Sequence, residues 1–115
     1  MHFQIPEQLE NYIGGKWVKP NSNQYLDNIN PATGEVYGKI PDSDAADVQM
    51  AVDAANRAFP SWSVMPSENR FQILHRVSEL IDMHMEELAL AECNDNGKPL
   101  WLCKQVDIPR ASSNF

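Results

Sequence analysis

The side chains that could act as nucleophiles are two cysteines in the second half of the chain. Cys93 and Cys103 lie ten residues apart, and the basic residue closest to either is Lys104. A cysteine attacks as a thiolate, which needs nearby positive charge or a metal to lower its pKa. There is no second cysteine pair and no histidine at zinc-ligand spacing, so neither a metal clamp nor a disulfide framework is expected. We interpret both cysteines as small core or half-buried side chains.

Candidate bases and acids are also present, but their spacing favours a surface. His75 and His84 are nine residues apart, which places them on adjacent helical faces without a third partner. Met83 and Met85 beside His84 are soft metal ligands in principle, but methionine on an amphipathic helix usually serves packing. The nearby acidic residues are predicted to be the solvated side of a helix: Glu86, Glu87, Glu92 and Asp95.

Composition excludes several classes of function. The 115 residues include 9 Lys and Arg against 16 Asp and Glu, a net charge of −7 that repels nucleic acid. No apolar run is long enough to span a membrane, and residues 1–7 lack the basic start and apolar run of a secretory signal. We therefore expect a cytoplasmic protein. The sparse basic residues are interpreted as ordinary solvated surface charges: Lys16, Lys19, Lys98, Lys104 and Arg110.

The first forty residues predict two β-hairpins. Gly14-Gly15 separates residues 11–13 from residues 16–18, and a glycine pair suits both central positions of a tight hairpin turn. A second hairpin is predicted between residues 25–29 and 36–40. Its turn contains Pro31, which fixes φ, and Gly34, which permits positive φ.

After Pro41 the apolar period changes from two to about 3.6, which predicts helices. Ser43 or Asp44 can cap the first helix, and Pro60 is expected to end it. Its apolar stripe consists of Val48, Ala51, Val52, Ala55, Ala58 and Phe59.

A second helix is predicted to begin near Pro66, and helical character continues to Asn96-Gly97, a common helix stop. Residues 100–115 are also predicted helical, with Asp107 capping a turn that contains Pro109. By itself the chain is therefore predicted to be α+β. The expected buried face of the second helix is Phe71, Leu74, Val77, Leu80 and Ile81, followed by a similar stripe of Met85, Leu88 and Ala91.

Three separated segments carry a family resemblance. They are residues 30–35 (NPATGE), residues 58–63 (AFPSWS), and residues 96–100 (NGKPL) followed by residues 106–110 (VDIPR). In this order they resemble the N-terminal part of an NAD(P)-dependent aldehyde dehydrogenase, from about Tyr12 to Phe115. The resemblance implies an α/β fold with a Rossmann-like NAD domain. Residues 1–115 would form its incomplete N-terminal part, with hairpins in 1–41 and helices in 42–115.

The family's chemistry is expected to lie outside this chain. In aldehyde dehydrogenases a cysteine thiolate attacks the carbonyl, hydride passes to NAD, and a glutamate-activated water releases the acid. The resemblance places that cysteine, that glutamate and the cofactor loop later in the chain. None of the five glycines opens a helix after a buried strand, as a cofactor loop would. We therefore expect no catalytic and no cofactor-binding residue here, and an inactive chain whose end at Phe115 is typical of interruption.

For the complete enzyme, the resemblance implies an aldehyde substrate, NAD or NADP as cofactor, and a homo-oligomer. Residues 95–99, 106–110 and 114–115 are most similar to the branch that oxidises 2-amino- or 2-hydroxymuconic semialdehydes. Some family members hold a monovalent cation, sodium or potassium, through oxygens of a strand before the NPATGE-like turn and through a later aspartate. The corresponding residues here are Asn28, Ile29 and Asp107.

An alternative from another class is a short independent interaction module that pairs with full-length subunits without catalysis. Helices that normally cover a parallel sheet would expose their apolar stripes if the sheet were missing. Each Å² of apolar surface left in water costs roughly 25 cal/mol. Aggregation or a molten response of the isolated chain would therefore favour the fragment. A soluble, cooperative monomer would favour the module.

Overall fold

A computed structural model describes residues 6–115. Most of residues 1–7, which the sequence predicts not to be a secretory signal, thus lie outside the described part. The described residues form two compact units. The hairpin unit comprises residues 6–29 and 36–64, and the helical unit comprises residues 30–35 and 65–115. Four antiparallel strands precede the helices in the chain, which confirms the α+β prediction for these residues.

Both predicted hairpins are present in the chain. β1 (Asn11–Ile13) pairs with β2 (Lys16–Val18), and the intervening Gly14 and Gly15 have φ of 59° and 81°. These left-handed values explain the glycine pair, since other residues adopt them only with strain.

The second hairpin pairs β3 (Tyr25–Ile29) with β4 (Val36–Pro41), and its register shifts at a bulge between Asn28 and Ile29. Residues 7–9, which precede β1 in the chain, run parallel to β4. The Leu9 N–H donates to the Lys39 carbonyl at 2.9 Å, and the Lys39 N–H donates to the Glu7 carbonyl at 2.9 Å.

α1 (Ala45–Ser63) begins with a reciprocal cap. Asp44 accepts from the N–H groups of Ala46 and Asp47, and the Asp47 carboxylate accepts from the Asp44 N–H at 3.0 Å. Asp47 also accepts the Asn21 N–H at 2.9 Å and is almost completely buried. Of the two predicted caps, Asp44 is correct, and Ser43 instead hydrogen-bonds Asn11 through its hydroxyl.

The prediction that Pro60 ends α1 is wrong, because the helix continues to Ser63. A proline inside a helix removes the bond from its own nitrogen to the carbonyl four residues earlier. Pro60 lies in the last turn, so little helix follows it. The Ser63 hydroxyl donates to the Pro60 carbonyl at 3.0 Å, which satisfies one of the acceptors left over at the helix end.

The helical unit contains α2 (Ser67–Met83), α3 (Met85–Asn96), α4 (Leu100–Leu102), a π-helical turn (Cys103–Asp107) and α5 (Ile108–Ser113). Its core is small. Ala89, Cys103 and Ile108 are buried, and the apolar side chains packed against them are Ile81, Met85, Cys93 and Leu100. The Ser78 and Ser112 hydroxyls, 3.0 Å apart, join α2 to α5.

The predicted buried stripes of α1 and α2 are largely exposed in this chain. Phe59 of α1 is 63% exposed and Phe71 of α2 is 56% exposed, while Val77 and Ile81 are half-buried. The 3.6-residue spacing of the apolar residues predicted the helices correctly. That spacing does not indicate whether another element covers the apolar stripe. Among the described helices, none is both long and apolar enough to cross a bilayer.

Replacing Asp47 with alanine is expected to lower the free energy of unfolding by about 2 kcal/mol, because the Asn21 and Asp44 N–H groups lose their acceptor. Urea denaturation followed by circular dichroism measures the change. The matched control is Asp53→Ala on the same helix, where the carboxylate accepts only an exposed Gln49 amide bond and the expected loss is about 0.5 kcal/mol or less. Equal losses in the two variants would contradict this role of Asp47.

Candidate functional site

The helical unit brings together two of the three sequence segments that carry the family resemblance, the second of them in its two parts. We call their meeting place the motif junction, defined as residues 30–35, 96–100 and 106–110. The remaining segment, residues 58–63, forms the last turns of α1 in the hairpin unit.

The turn at residues 30–35 is closed by its first residue. The Asn30 carbonyl accepts from the Gly34 N–H at 2.8 Å, and the Asn30 N–H donates to the Glu35 carbonyl at 2.9 Å. The Asn30 side chain accepts the Ala32 N–H at 2.9 Å, a local bond that asparagine makes readily in turns. Gly34 has a φ of 76°, as the sequence predicted.

Gly97 packs against this turn and ends α3. Its φ is 73° and its N–H donates to the Cys93 carbonyl at 3.0 Å, the geometry of a left-handed helix cap. A Cβ at this position would lie 2.9 Å from Pro31 Cγ and 3.7 Å from the Ala32 nitrogen. Glycine is therefore required twice, once by its backbone angle and once by the proline ring.

Lys98 links the end of α3 to the π-helical turn. Its Nζ lies 3.0 Å from Asp107 Oδ2 and 3.5 Å from Glu92 Oε1. The Lys98 N–H donates to the Asn96 side-chain oxygen at 2.9 Å, and the Lys98 carbonyl accepts from Cys93 Sγ at 3.0 Å. The hydrogen bond to Asp107 raises the pKa of Lys98, although burial opposes it. The Lys98 side chain is 41% exposed, so it is a surface charge as predicted, but it is paired with two carboxylates, which the sequence did not indicate.

Asp107 is presented to Lys98 by the π-helical turn. The Ile108 N–H donates to the Cys103 carbonyl, five residues earlier, just before Pro109, which has no N–H. The wider turn suits a proline because it moves the preceding carbonyls away from the ring. Asp107 precedes α5 but makes no side-chain capping bond, so the predicted cap is wrong, and its carboxylate contacts Lys98 instead.

Neither cysteine is placed to act as a nucleophile. Cys103 is fully buried, and burial, followed by the Asp107 charge, raises the pKa of its thiol. Cys93 is half-buried and donates to the Lys98 carbonyl. The prediction of core and half-buried cysteines is confirmed. The surface prediction for the histidines is also confirmed, since the side chains of His75 in α2 and of His84 between α2 and α3 are 58% and 52% exposed, each beside a glutamate.

The three residues expected at a monovalent cation fall in different units. Asn28 and Ile29 lie in β3 of the hairpin unit, where the register with β4 shifts, and the Asn28 amide donates to the Tyr37 hydroxyl at 2.8 Å. Asp107 belongs to the helical unit, and its carboxylate already faces the Lys98 ammonium. Within residues 6–115 no group of three His, Cys, Asp or Glu side chains is arranged to hold a metal ion.

Substituting alanine at Gly97 is expected to cost about 2 to 3 kcal/mol of unfolding free energy, the sum of left-handed strain and contact with Pro31. Gly34→Ala is the matched control. Gly34 has nearly the same φ but open space where its Cβ would be, so only about 1 kcal/mol is expected. Urea denaturation of both variants measures the difference, and a Gly34→Ala loss as large as that of Gly97→Ala would show that the contact contributes nothing.

The contribution of Lys98 to stability is expected to disappear at high pH. A raised pKa in the folded chain means that the contribution is complete below the ordinary lysine value of 10.5 and is lost as pH rises through the folded pKa. The difference in unfolding free energy between wild type and Lys98→Met should therefore be constant from pH 8 to about 10 and then shrink. Denaturation curves across this range measure it, and a difference that persists unchanged above that range contradicts the prediction.

Comparison with known proteins identifies the family of this chain. The model of the aldehyde dehydrogenase family matches residues 17–115. A 2-aminomuconic semialdehyde dehydrogenase of Bos taurus is 47% identical over 107 residues, which cover 93% of this chain and 22% of that protein. A fluoroacetaldehyde dehydrogenase of Streptantibioticus cattleyicolor is 42% identical over 108 residues, covering 94% of this chain and 21% of that protein.

A solved structure agrees with the sequence relatives. Indole-3-acetaldehyde dehydrogenase in complex with NAD+ superimposes with a TM-score of 0.89 at 34% identity, covering 94% of this chain and 22% of that one. The chain thus spans about a fifth of the length of its relatives. Because the family model matches most of the residues and includes all three segments of the resemblance, the chain belongs to the aldehyde dehydrogenase family.

Proposed function

We propose that residues 1–115 are the N-terminal part of the cofactor-binding domain of an aldehyde dehydrogenase, with hairpins in 1–41 and helices in 42–115. The complete enzyme would oxidise an aldehyde to the carboxylic acid with NAD or NADP. The motif junction supports this most directly. Gly97 contacts Pro31, and Lys98 contacts Asp107. These contacts join segments that the family match includes, so we interpret the segments as parts of the fold that the family shares.

The chain's own contribution would be a scaffold. Among the described residues, the two thiols contact a backbone carbonyl and apolar neighbours, and neither arrangement generates a thiolate. Catalysis in this family needs an activated cysteine and a base for the attacking water. The chain alone is therefore proposed to be inactive, and NAD or NADP would be bound only by the complete enzyme.

The proposed substrate of the complete enzyme is a muconic semialdehyde. The 47% identity to the bovine 2-aminomuconic semialdehyde dehydrogenase supports it. The sequences of residues 95–99 and 106–110 also resemble the branch that oxidises muconic semialdehydes. The margin over the 42% identical fluoroacetaldehyde dehydrogenase is small. Measuring kcat/KM of the complete enzyme with 2-aminomuconic semialdehyde and with fluoroacetaldehyde decides between them, since a preference for fluoroacetaldehyde would contradict the proposal.

A hybrid enzyme tests the scaffold role. The chain replaces the aligned N-terminal segment of the bovine relative, and NADH formation from its aldehyde is followed at 340 nm. We expect activity from the hybrid and none from the isolated chain, because the reacting groups come from the bovine part. A Gly97→Ala hybrid should lose folded protein, whereas a Gly34→Ala hybrid should lose less. An inactive but folded wild-type hybrid, or NADH production by the isolated chain, would contradict the proposal.

Two further features are proposed for the complete enzyme, and a third is an expectation that the resemblance alone carries. It would form a homo-oligomer, as the resemblance implies, and would reside in the cytoplasm. A sodium or potassium ion at Asn28, Ile29 and Asp107 stays a prediction of the resemblance, and Lys98 competes for the Asp107 carboxylate.

A second candidate is an interaction module that pairs with full-length subunits without catalysis. Its docking surface would be the same apolar side chains of α1 and α2 that an incomplete domain leaves exposed. Val52 and Phe59 of α1 and Phe71 of α2 present apolar surface that the described residues leave open to solvent. Sedimentation of the purified chain with the full-length bovine relative tests the candidate. Co-sedimentation of the folded chain would support it, while separate sedimentation or aggregation of the chain would exclude it.

A further inference from the structure

We propose that the ammonium group of Lys98 is the resident cation of the motif junction, taking the place that a dissolved sodium or potassium ion would have at Asp107. The junction would then be independent of the dissolved monovalent cation. The inference concerns this chain's own charges, so it does not depend on the proposed catalysis.

The charges at the junction are matched within the chain. The Lys98 Nζ lies between Asp107, at 3.0 Å, and Glu92, at 3.5 Å. Two carboxylates beside each other repel, and a cation between them removes the repulsion. A lysine ammonium is a compact point charge with three donors, so it can serve both carboxylates at once.

The backbone of Lys98 is fixed on both sides, which brings the ammonium to the carboxylates. Its N–H is held by the Asn96 side chain, and its carbonyl is held by Cys93. Gly97 sets the direction in which the chain leaves α3. A charge attached to the chain at short range acts at a high effective concentration, with which a dissolved ion must compete.

A dissolved ion meets further difficulty at Asp107. Hard cations are held by several oxygen ligands together. On the helical unit, the carboxylate of Asp107 already receives a hydrogen bond from Lys98. An ion would have to displace the ammonium, and the displaced charge would remain nearby to repel it.

The test compares the hybrid enzyme, in which the chain replaces the aligned N-terminal segment of the bovine relative, with its Lys98→Met and Lys104→Met variants. Both variants have the same net charge, so the general attraction of cations to an acidic chain is matched. Lys104 pairs with Glu86, a largely exposed side chain, and leaves Lys98 and Asp107 intact. Each protein is unfolded with urea in NaCl, in KCl and in N-methyl-D-glucamine chloride at equal ionic strength, and the ²³Na relaxation rate is measured in NaCl.

We expect the urea midpoint of wild type and of Lys104→Met to be the same in the three salts. Lys98→Met should have a higher midpoint in NaCl or KCl than in N-methyl-D-glucamine, and a faster ²³Na relaxation rate than Lys104→Met, because the two carboxylates then recruit a dissolved ion. Lys98→Arg, which keeps the charge, should restore the wild-type pattern. A sodium- or potassium-specific stabilisation of wild type, or a Lys98→Met variant that behaves like Lys104→Met, overturns the proposal.

If Lys98→Met does not fold, wild type and Asp107→Asn decide the question. The proposal expects the midpoints of both proteins to stay unchanged between NaCl and N-methyl-D-glucamine chloride. A sodium-specific stabilisation in wild type that Asp107→Asn abolishes would show that a dissolved ion, and not Lys98, serves the aspartate.

Discussion

The close approach of Gly97 to Pro31 is the constraint on which the helical unit depends. No side chain fits at residue 97, because the proline ring lies where a Cβ would be. The left-handed backbone there ends α3 and turns the chain so that Lys98 meets Asp107. The family segments of the motif junction are therefore linked by one chain of contacts. A helix stop fixes a lysine, and the lysine fixes the turn that precedes α5.

The local features of the chain were predictable because they depend on neighbouring residues. The pair Gly14-Gly15 suits a tight turn. The Asp44 side chain can accept the free backbone N–H groups at the start of α1. The stop at Gly97 followed from the same reasoning. The prediction failed at Pro60, where α1 continues for three residues although the proline nitrogen cannot donate to the carbonyl four residues earlier.

The long-range contacts of the motif junction were not predictable from one sequence. Lys98 looked like an ordinary surface charge, because its partner Asp107 is nine residues away across a break between helices. Asp107 looked like a cap, because the π-helical turn before Pro109 has no clear signature in the residue pattern. The apolar stripes predicted helices correctly and burial wrongly, since burial depends on what lies against the stripe.

The register shift opposite Asn28 and Ile29 has a consequence for β4, the strand that carries the extra residue. Asn28 pairs with Gly38 and Ile29 pairs with Val36, so Tyr37 is one residue more than β3 supplies at this point. An extra residue bends its strand and increases the local twist. Deleting Tyr37 would leave the pairs on either side in place as a regular ladder and would straighten β4.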